Sequence, residues 1–288
     1  MTPKAIPARG RMARLLSAGR RLRPQSASEI YGAAVLFVIS LIVLAAPLIA
    51  RNDPLAQDIS RQLLPPGSEF LLGTDQFGRD VFARVLYGGR VSIGISISVV
   101  VLAGMVGIAV GSIAGFAGGW VDELLMRIAE IFLAFPAILL ALVVAGALGP
   151  SLRTTAVAIA VAWWAIYARV IRGEILSVRE REYVVAARTI GVRSSQILLR
   201  TVIPNSLGAL KLVMILDIGY AMIAAATLSF LGLGVKPPSP EWGLMIRESL
   251  ERPSAWWLFV GPGVAIMLFV SSINFAGSVF TRNPEGSR

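Results

Sequence analysis

Apolar residues in this 288-residue chain are gathered into long blocks separated by short polar or charged stretches. Six blocks can be drawn, at about 31–50, 91–116, 124–148, 154–172, 207–233 and 258–281. An α-helix rising about 1.5 Å per residue needs roughly 20 mostly apolar residues to cross a bilayer, and the blocks meet that length. The pattern predicts an all-α polytopic membrane protein with six transmembrane helices. An even count returns both termini to one side.

The charges between the blocks choose that side. Residues 1–30 carry Lys4, Arg9, Arg11, Arg14, Arg20, Arg21 and Arg23 against the single acid Glu29, and 172–205 carries Arg172, Arg179, Arg181, Arg188, Arg193 and Arg200. Basic residues flanking spans stay in the cytoplasm, so both segments are expected there. Segment 51–90 balances Arg51, Arg61, Arg79, Arg84 and Arg90 with Asp53, Asp58, Glu69, Asp75 and Asp80, as befits an exported loop. Its Pro65-Pro66 pair predicts irregular structure with short helices. A second exported loop, about 234–257, holds Pro237-Pro238-Ser239-Pro240 and Trp242, Trp256 and Trp257, expected as anchors at the headgroup level.

The organisation expected is thus a basic cytoplasmic tail at 1–30, a first helix at 31–50, an exported loop at 51–90, and a five-helix core at 91–281. That core includes the cytoplasmic loop 172–205, and a cytoplasmic tail follows at 282–288. The tail is read as retained rather than as part of a cleaved leader, because its basic region is long and Pro47 stands where cleavage would be expected.

Composition agrees with a bilayer protein: 56% hydrophobic and 15% charged residues, with a mean hydropathy of +0.73. The net charge of +10 is placed beside the apolar blocks, so it is read as a topology signal and no nucleic-acid partner is expected. Cysteine and histidine are absent. That excludes disulfides, thiolate chemistry, Cys/His zinc sites and a Ser-His-Asp triad within the chain.

Inside the blocks, Gly107, Gly111 and Gly115 recur every four residues and share one helix face, which predicts a groove for close helix packing. Arg127 and Glu130 stand three apart and are expected to pair on one face. Asp217 falls about ten residues into the fifth block, where an ionised carboxylate costs roughly a few kcal/mol unless it meets water or a partner. Two readings stay open for it: a residue lining a translocation path, or a hydrogen-bonded carboxyl locking the fifth helix to a neighbour. A secondary transporter or channel would use such a group as an ion site, but no inverted repeat accompanies it.

The loop 172–205 holds Arg181-Glu182-Tyr183-Val184-Val185-Ala186-Ala187-Arg188-Thr189-Ile190-Gly191, continuing through Gln196-Ile197-Leu198-Leu199-Arg200 to Ile203-Pro204-Asn205. Ala186-Ala187 favours a helix with a small-residue face, Gly191 can end it, and a second short helix is expected to close at Pro204. Such an element suits a cleft on another protein. Energy for transport cannot come from a Walker A loop here, which needs lysine directly after glycine. The three lysines, Lys4, Lys211 and Lys236, follow Pro3, Leu210 and Val235.

The loop resembles the EAA motif of ABC importer permeases, an Ala-Ala pair followed by glycine and, after a fixed gap, proline. The leading Glu of that motif falls on Val185, and its Ile and Leu before the proline fall on Thr201 and Ile203, with Glu182 as a substitute acid. A second run, Leu72-Gly73-Thr74-Asp75-Gln76-Phe77-Gly78-Arg79-Asp80 continuing to Ser92, resembles the start of the second permease of peptide/nickel-type systems. So do Gly118-Gly119-Trp120-Val121-Asp122 with Met126-Arg127, Phe135-Pro136, Leu228-Ser229-Phe230-Leu231-Gly232-Leu233-Gly234 and Glu241-Trp242-Gly243.

The resemblance implies a type I ABC importer permease in a bacterial or archaeal inner membrane, non-catalytic itself and paired with a homologous permease as a heterodimer. Two cytoplasmic ATPases using ATP and Mg, an extracytoplasmic solute-binding protein and membrane lipid are its implied partners; the chain itself would bind no cofactor or metal. The coupling residues implied are Glu182, Tyr183, Ala186, Ala187, Arg188, Gly191 and Pro204. The solute implied is a small peptide or a similar compound such as a nickel chelate or opine. The chain departs from relatives at Ala225, where an acid is common, and at Gly277–Arg282, and both departures leave the solute open.

Overall fold

Each apolar block folds as helix, and no strand forms among the described residues. The computed structural model describes residues 27–281, with side chains for 30–277. The expected tail over residues 1–26 and the tail at 282–288 lie outside the described residues. The helices, in chain order, are α1 (Ala27–Leu44), α2 (Ala46–Ile49), α3 (Val81–Ala117), α4 (Gly119–Leu133), α5 (Ala137–Leu148) and α6 (Leu152–Arg179). They continue with α7 (Glu182–Thr189), α8 (Ser194–Phe230), α9 (Trp242–Ser249) and α10 (Trp257–Thr281).

Four stretches are long and apolar enough to cross a membrane: α3, α6, α8 and Trp257–Gly277 of α10. The third expected span is a bent pair instead, α4 and α5, turned by 87°. Pro136 accounts for the break, because it has no N–H to give and its ring crowds the carbonyl four residues back; it caps α5 from outside. The first span is a shorter apolar helix, Ile30–Leu44. Other boundaries also move. The expected loop 51–90 ends at Asp80, whose carboxylate accepts the backbone N–H groups of Phe82 and Ala83 and so starts α3 ten residues before the apolar block.

The glycine row predicted for packing is the seam between α3 and α6. A Cβ added at Gly107 would lie 2.4 Å from the Tyr167 Cβ, at Gly111 2.1 Å from an Ile171 methyl, and at Gly115 2.9 Å from an Ile175 methyl. Only a missing side chain permits that approach. The seam feeds a buried cluster of Ala103, Tyr167, Ile171, Ile175, Val178, Val184, Ile197, Val202 and Leu210, which ties α3, α6, α7 and α8 together.

At the opposite end, residues 51–80 wrap into a cap over α9 and α10. Gly78 has φ +71°, and a Cβ there would fall 1.8 Å from the Asp58 carbonyl oxygen, so only glycine fits. Arg79 and Arg84 are each 1% exposed. Asp75 takes Arg79 Nε at 2.6 Å and Arg84 Nε at 3.5 Å. Glu248 on α9 receives both guanidinium groups at 3.3 Å. Burial pushes the Glu248 carboxyl above the usual range, while Arg84 and Arg79 pull it down.

Among the tryptophans of the second loop, Trp242 departs from the headgroup expectation. Trp242 is 1% exposed and donates from its indole to the Val85 carbonyl at 2.8 Å, and Trp257 donates to the Thr74 carbonyl at 3.1 Å. Indole N–H groups buried in this way need a protein acceptor, and both have one. Trp256 alone of the three stays exposed.

Candidate functional site

The segment expected to dock on a partner folds as α7, a helix of eight residues between α6 and α8. Glu182 stands in its first turn and Arg188 in its last, each matched to the helix dipole. After Ile190 the chain turns at Gly191 with φ +82°. Gly191 N–H bonds to the Arg188 carbonyl at 3.0 Å and Val192 N–H to the Ala187 carbonyl at 3.1 Å. The six-to-one bond beside a left-handed glycine is a Schellman closure, as the sequence predicts for this position. A Cβ at Gly191 would meet no atom of the chain within 4 Å.

One face of α7 holds the helix down and the other is open. Val184 is fully buried against the α6 and α8 cluster, and Ala187 packs beside it. Glu182, Tyr183, Val185, Ala186, Thr189 and Ile190 are exposed, with Ile190 80% so. Glu182, Val185, Ala186, Thr189 and Ile190 line a shallow open concavity together with Glu180. Val185 gives this concavity an apolar edge and Glu182, three residues earlier, a carboxylate.

Arg188, itself exposed, lays its guanidinium over the Phe116 ring at 5.2 Å from the centroid. One predicted residue sits differently from expectation. Pro204 does not close a short helix but rides within α8. A π-helical turn over Leu198–Val202 precedes it, in which Ile203 N–H reaches the Leu198 carbonyl. That wider turn re-routes the backbone bonds just where proline has no N–H to offer.

Asp217 lies on α8, half-buried, beside Tyr167 of α6. The Tyr167 hydroxyl is buried and close enough to feel the carboxylate, yet it has no hydrogen bond of good geometry. The two groups face each other across the α6–α8 interface.

Sequence reasoning missed the residues that fasten this end. Asp122 on α4 takes Arg172 of α6 in a two-bond contact, Nε to Oδ1 at 2.5 Å and Nη2 to Oδ2 at 2.6 Å. Arg179 donates to the Gly115 carbonyl at 2.7 Å. The expected Arg127–Glu130 pair does not form; Arg127 instead lies 3.8 Å from Glu123, both well exposed. Four-residue spacing brings those two side chains onto one face just as well as three. No group of three or more metal-ligating side chains occurs among the described residues.

Residues 107–284 match the family described as the binding-protein-dependent transport system inner membrane component. The chain is 39% identical over 249 residues to a dipeptide transport system permease protein of Alkalihalophilus pseudofirmus, covering 86% of this chain and 82% of the relative. It is 38% identical over 255 residues to a di/tripeptide transport system permease protein of Pseudomonas aeruginosa, covering 85% and 84%. The fold is similar to that of a chain in an inward-facing MetNI methionine ABC transporter, with a TM-score of 0.57 at 16% identity over 69% of this chain and 95% of that one.

Proposed function

The chain belongs to the family of binding-protein-dependent transport system inner membrane components, and from that premise we propose that it is the translocation subunit of an ATP-driven importer of small peptides. The names of its relatives support the peptide as cargo. Its working complex comprises a homologous permease, two ATPases that hold the ATP and Mg, and a solute-binding protein on the outer side. The chain itself performs no covalent step.

The observation that supports the coupling role is the two-faced α7. Its outer face, with Glu182, Tyr183, Ala186 and Ile190, offers a small, partly apolar surface to an ATPase cleft. Its inner face, through Val184, is packed against both α6 and the start of α8. A push on α7 therefore displaces the ends of two spanning helices. Because Asp217 and Tyr167 face each other between those helices, the same displacement changes the surroundings of Asp217, the residue we read as lining the path.

The decisive experiment is uptake of a labelled dipeptide into vesicles holding both permeases, with the binding protein outside and ATP inside. Uptake should require the ATPase subunits. Uptake driven by an ion gradient without them would sink the reading in favour of a secondary transporter. Orientation is checked in the same preparation: Ser60→Cys and Ser195→Cys, each in this cysteine-free chain, should label from opposite sides, Ser195→Cys from the ATPase side.

A further inference from the structure

We infer that the corner between α3 and α4, residues Gly115–Asp122, is the second output of α7, and that Asp122 and Arg172 are positioning residues for coupling. This rests on the docking reading of α7 given above, and it assigns a use to the Gly-Gly-Trp-Val-Asp run that docking leaves without one.

Three arginines hold this corner from three points along the chain. Arg172 grips Asp122 through two parallel bonds of 2.5 and 2.6 Å. About two helical turns further towards the α6 terminus, after seven residues, Arg179 donates to the Gly115 carbonyl at 2.7 Å. From α7 itself, Arg188 covers the Phe116 ring, and Phe116 in turn packs against the cluster that holds Val184, Ile197 and Val202. The corner can reach these arginines because Gly118 and Gly119 turn with φ of +67° and +55°. Two successive left-handed residues reverse the chain direction cheaply only when both lack a side chain. Asp122 then lies in the first turn of α4, facing back to α6.

The fork geometry matters. A guanidinium and a carboxylate joined by two parallel bonds fix angle as well as distance, which a lysine or a single bond does not. The contact therefore makes the start of α4 follow α6, while Arg188 makes the end of α3 follow α7. Since α4 runs into the 87° bend with α5, the corner carries motion of α7 to a part of the bundle that α7 does not touch. α4 and α5 also share buried clusters with α6, Ala129 with Trp164, Ala165 and Ala168, and Ala141 and Ala145 with Ala156, Ile159 and Ala162. What the fork adds is therefore the angle at the corner: without it α7 still docks and α6 and α8 still move, but the start of α4 no longer keeps its angle to α6.

The test uses the assembled complex of both permeases and both ATPases in vesicles. Three variants are compared, Asp122→Asn, Arg172→Lys and the exchange Asp122→Arg with Arg172→Asp. Membrane abundance, ATPase co-purification, ATP hydrolysis and peptide uptake are measured for each. The expected result is at least a five-fold fall in uptake per ATP hydrolysed for each single variant, with co-purification unchanged, and recovery of at least half of the ratio in the exchange. Uptake per ATP equal to wild type in both single variants would overturn the inference. So would a fall in uptake that merely tracks abundance, since that marks a folding contact. Loss of ATPase co-purification in Ile190→Ser is read separately: its absence would remove the docking reading, whatever the fork variants do.

Discussion

At one end of the bundle, residues 51–92 and 241–258 close over two buried arginines; at the other, residues 182–199 turn Tyr183, Val185, Ile190 and Leu199 outward. The capped end satisfies its charges internally. Glu241 caps α9 through the N–H groups of Gly243 and Leu244, and its Oε1 also takes the Ser92 hydroxyl, which in turn accepts the Trp242 N–H. Both ends expose some apolar residues, Leu71 and Leu250 at the capped end among them; what the α7 end lacks among the described residues is a buried charge network, its Asp122–Arg172 pair being partly wet with Arg172 about a third exposed. A buried charge network is costly to disturb, whereas exposed apolar residues on a short helix cost the free chain little and favour a partner that covers them. The buried charge network thus lies at one end, and the helix proposed for coupling at the other.

That contrast breaks most visibly at Asp75. Asp75→Ala leaves Glu248 as the one carboxylate beside the Arg79 and Arg84 guanidinium groups, with Arg84 still donating to the Pro54 and Pro238 carbonyls, and removes the acceptor for the Phe77 and Arg79 N–H groups. The expected loss is about 3–5 kcal/mol, seen as reduced membrane abundance and a lower unfolding temperature in detergent. A fully stable variant would show that the cap is not held by its charges.

Between the two ends, Gly111→Ala puts a methyl 2.1 Å from Ile171 and 2.3 Å from the Ala168 carbonyl. Forcing α3 from α6 is expected to cost about 1–3 kcal/mol, as overpacking does. Thermal unfolding of the purified subunit pair measures it, and no shift would mean that the seam is looser than the glycine row implies.

Gly191→Ala carries a smaller stability cost with a larger functional one. A side chain at φ +82° strains the backbone by about 1–2 kcal/mol, and no neighbour within the chain is struck. Abundance should stay near wild type while uptake falls, and Gly191→Asp should fall further. Wild-type uptake in both would separate the turn from coupling. At the lower limit, Ile190→Ser should change stability by no more than about 0.5 kcal/mol, as surface substitutions do, yet weaken ATPase co-purification. Should Ile190→Ser destabilise more than Asp75→Ala, the division of labour between the ends would be reversed.

The chain order of residues determined a good deal. Block lengths set an all-α membrane protein, because a bilayer admits few other solutions for a backbone. The spacing of Gly107, Gly111 and Gly115 marked a packing face, since helical period alone aligns them. The Ala186-Ala187 to Gly191 run specified a short helix and its closure, because a left-handed turn strongly favours glycine. Tertiary structure decided what spacing cannot reach. Arg79 and Arg84 meet Glu248 across more than 160 residues, and Asp122 meets Arg172 across 50; local sequence gives no distance between such groups. Trp242 read as a membrane anchor by composition and became an internal donor once Val85 offered a carbonyl. Pro204, a helix breaker by propensity, was absorbed by the π turn before it, because packing of Ile197 and Val202 against α6 and α7 outweighs a local preference for stopping.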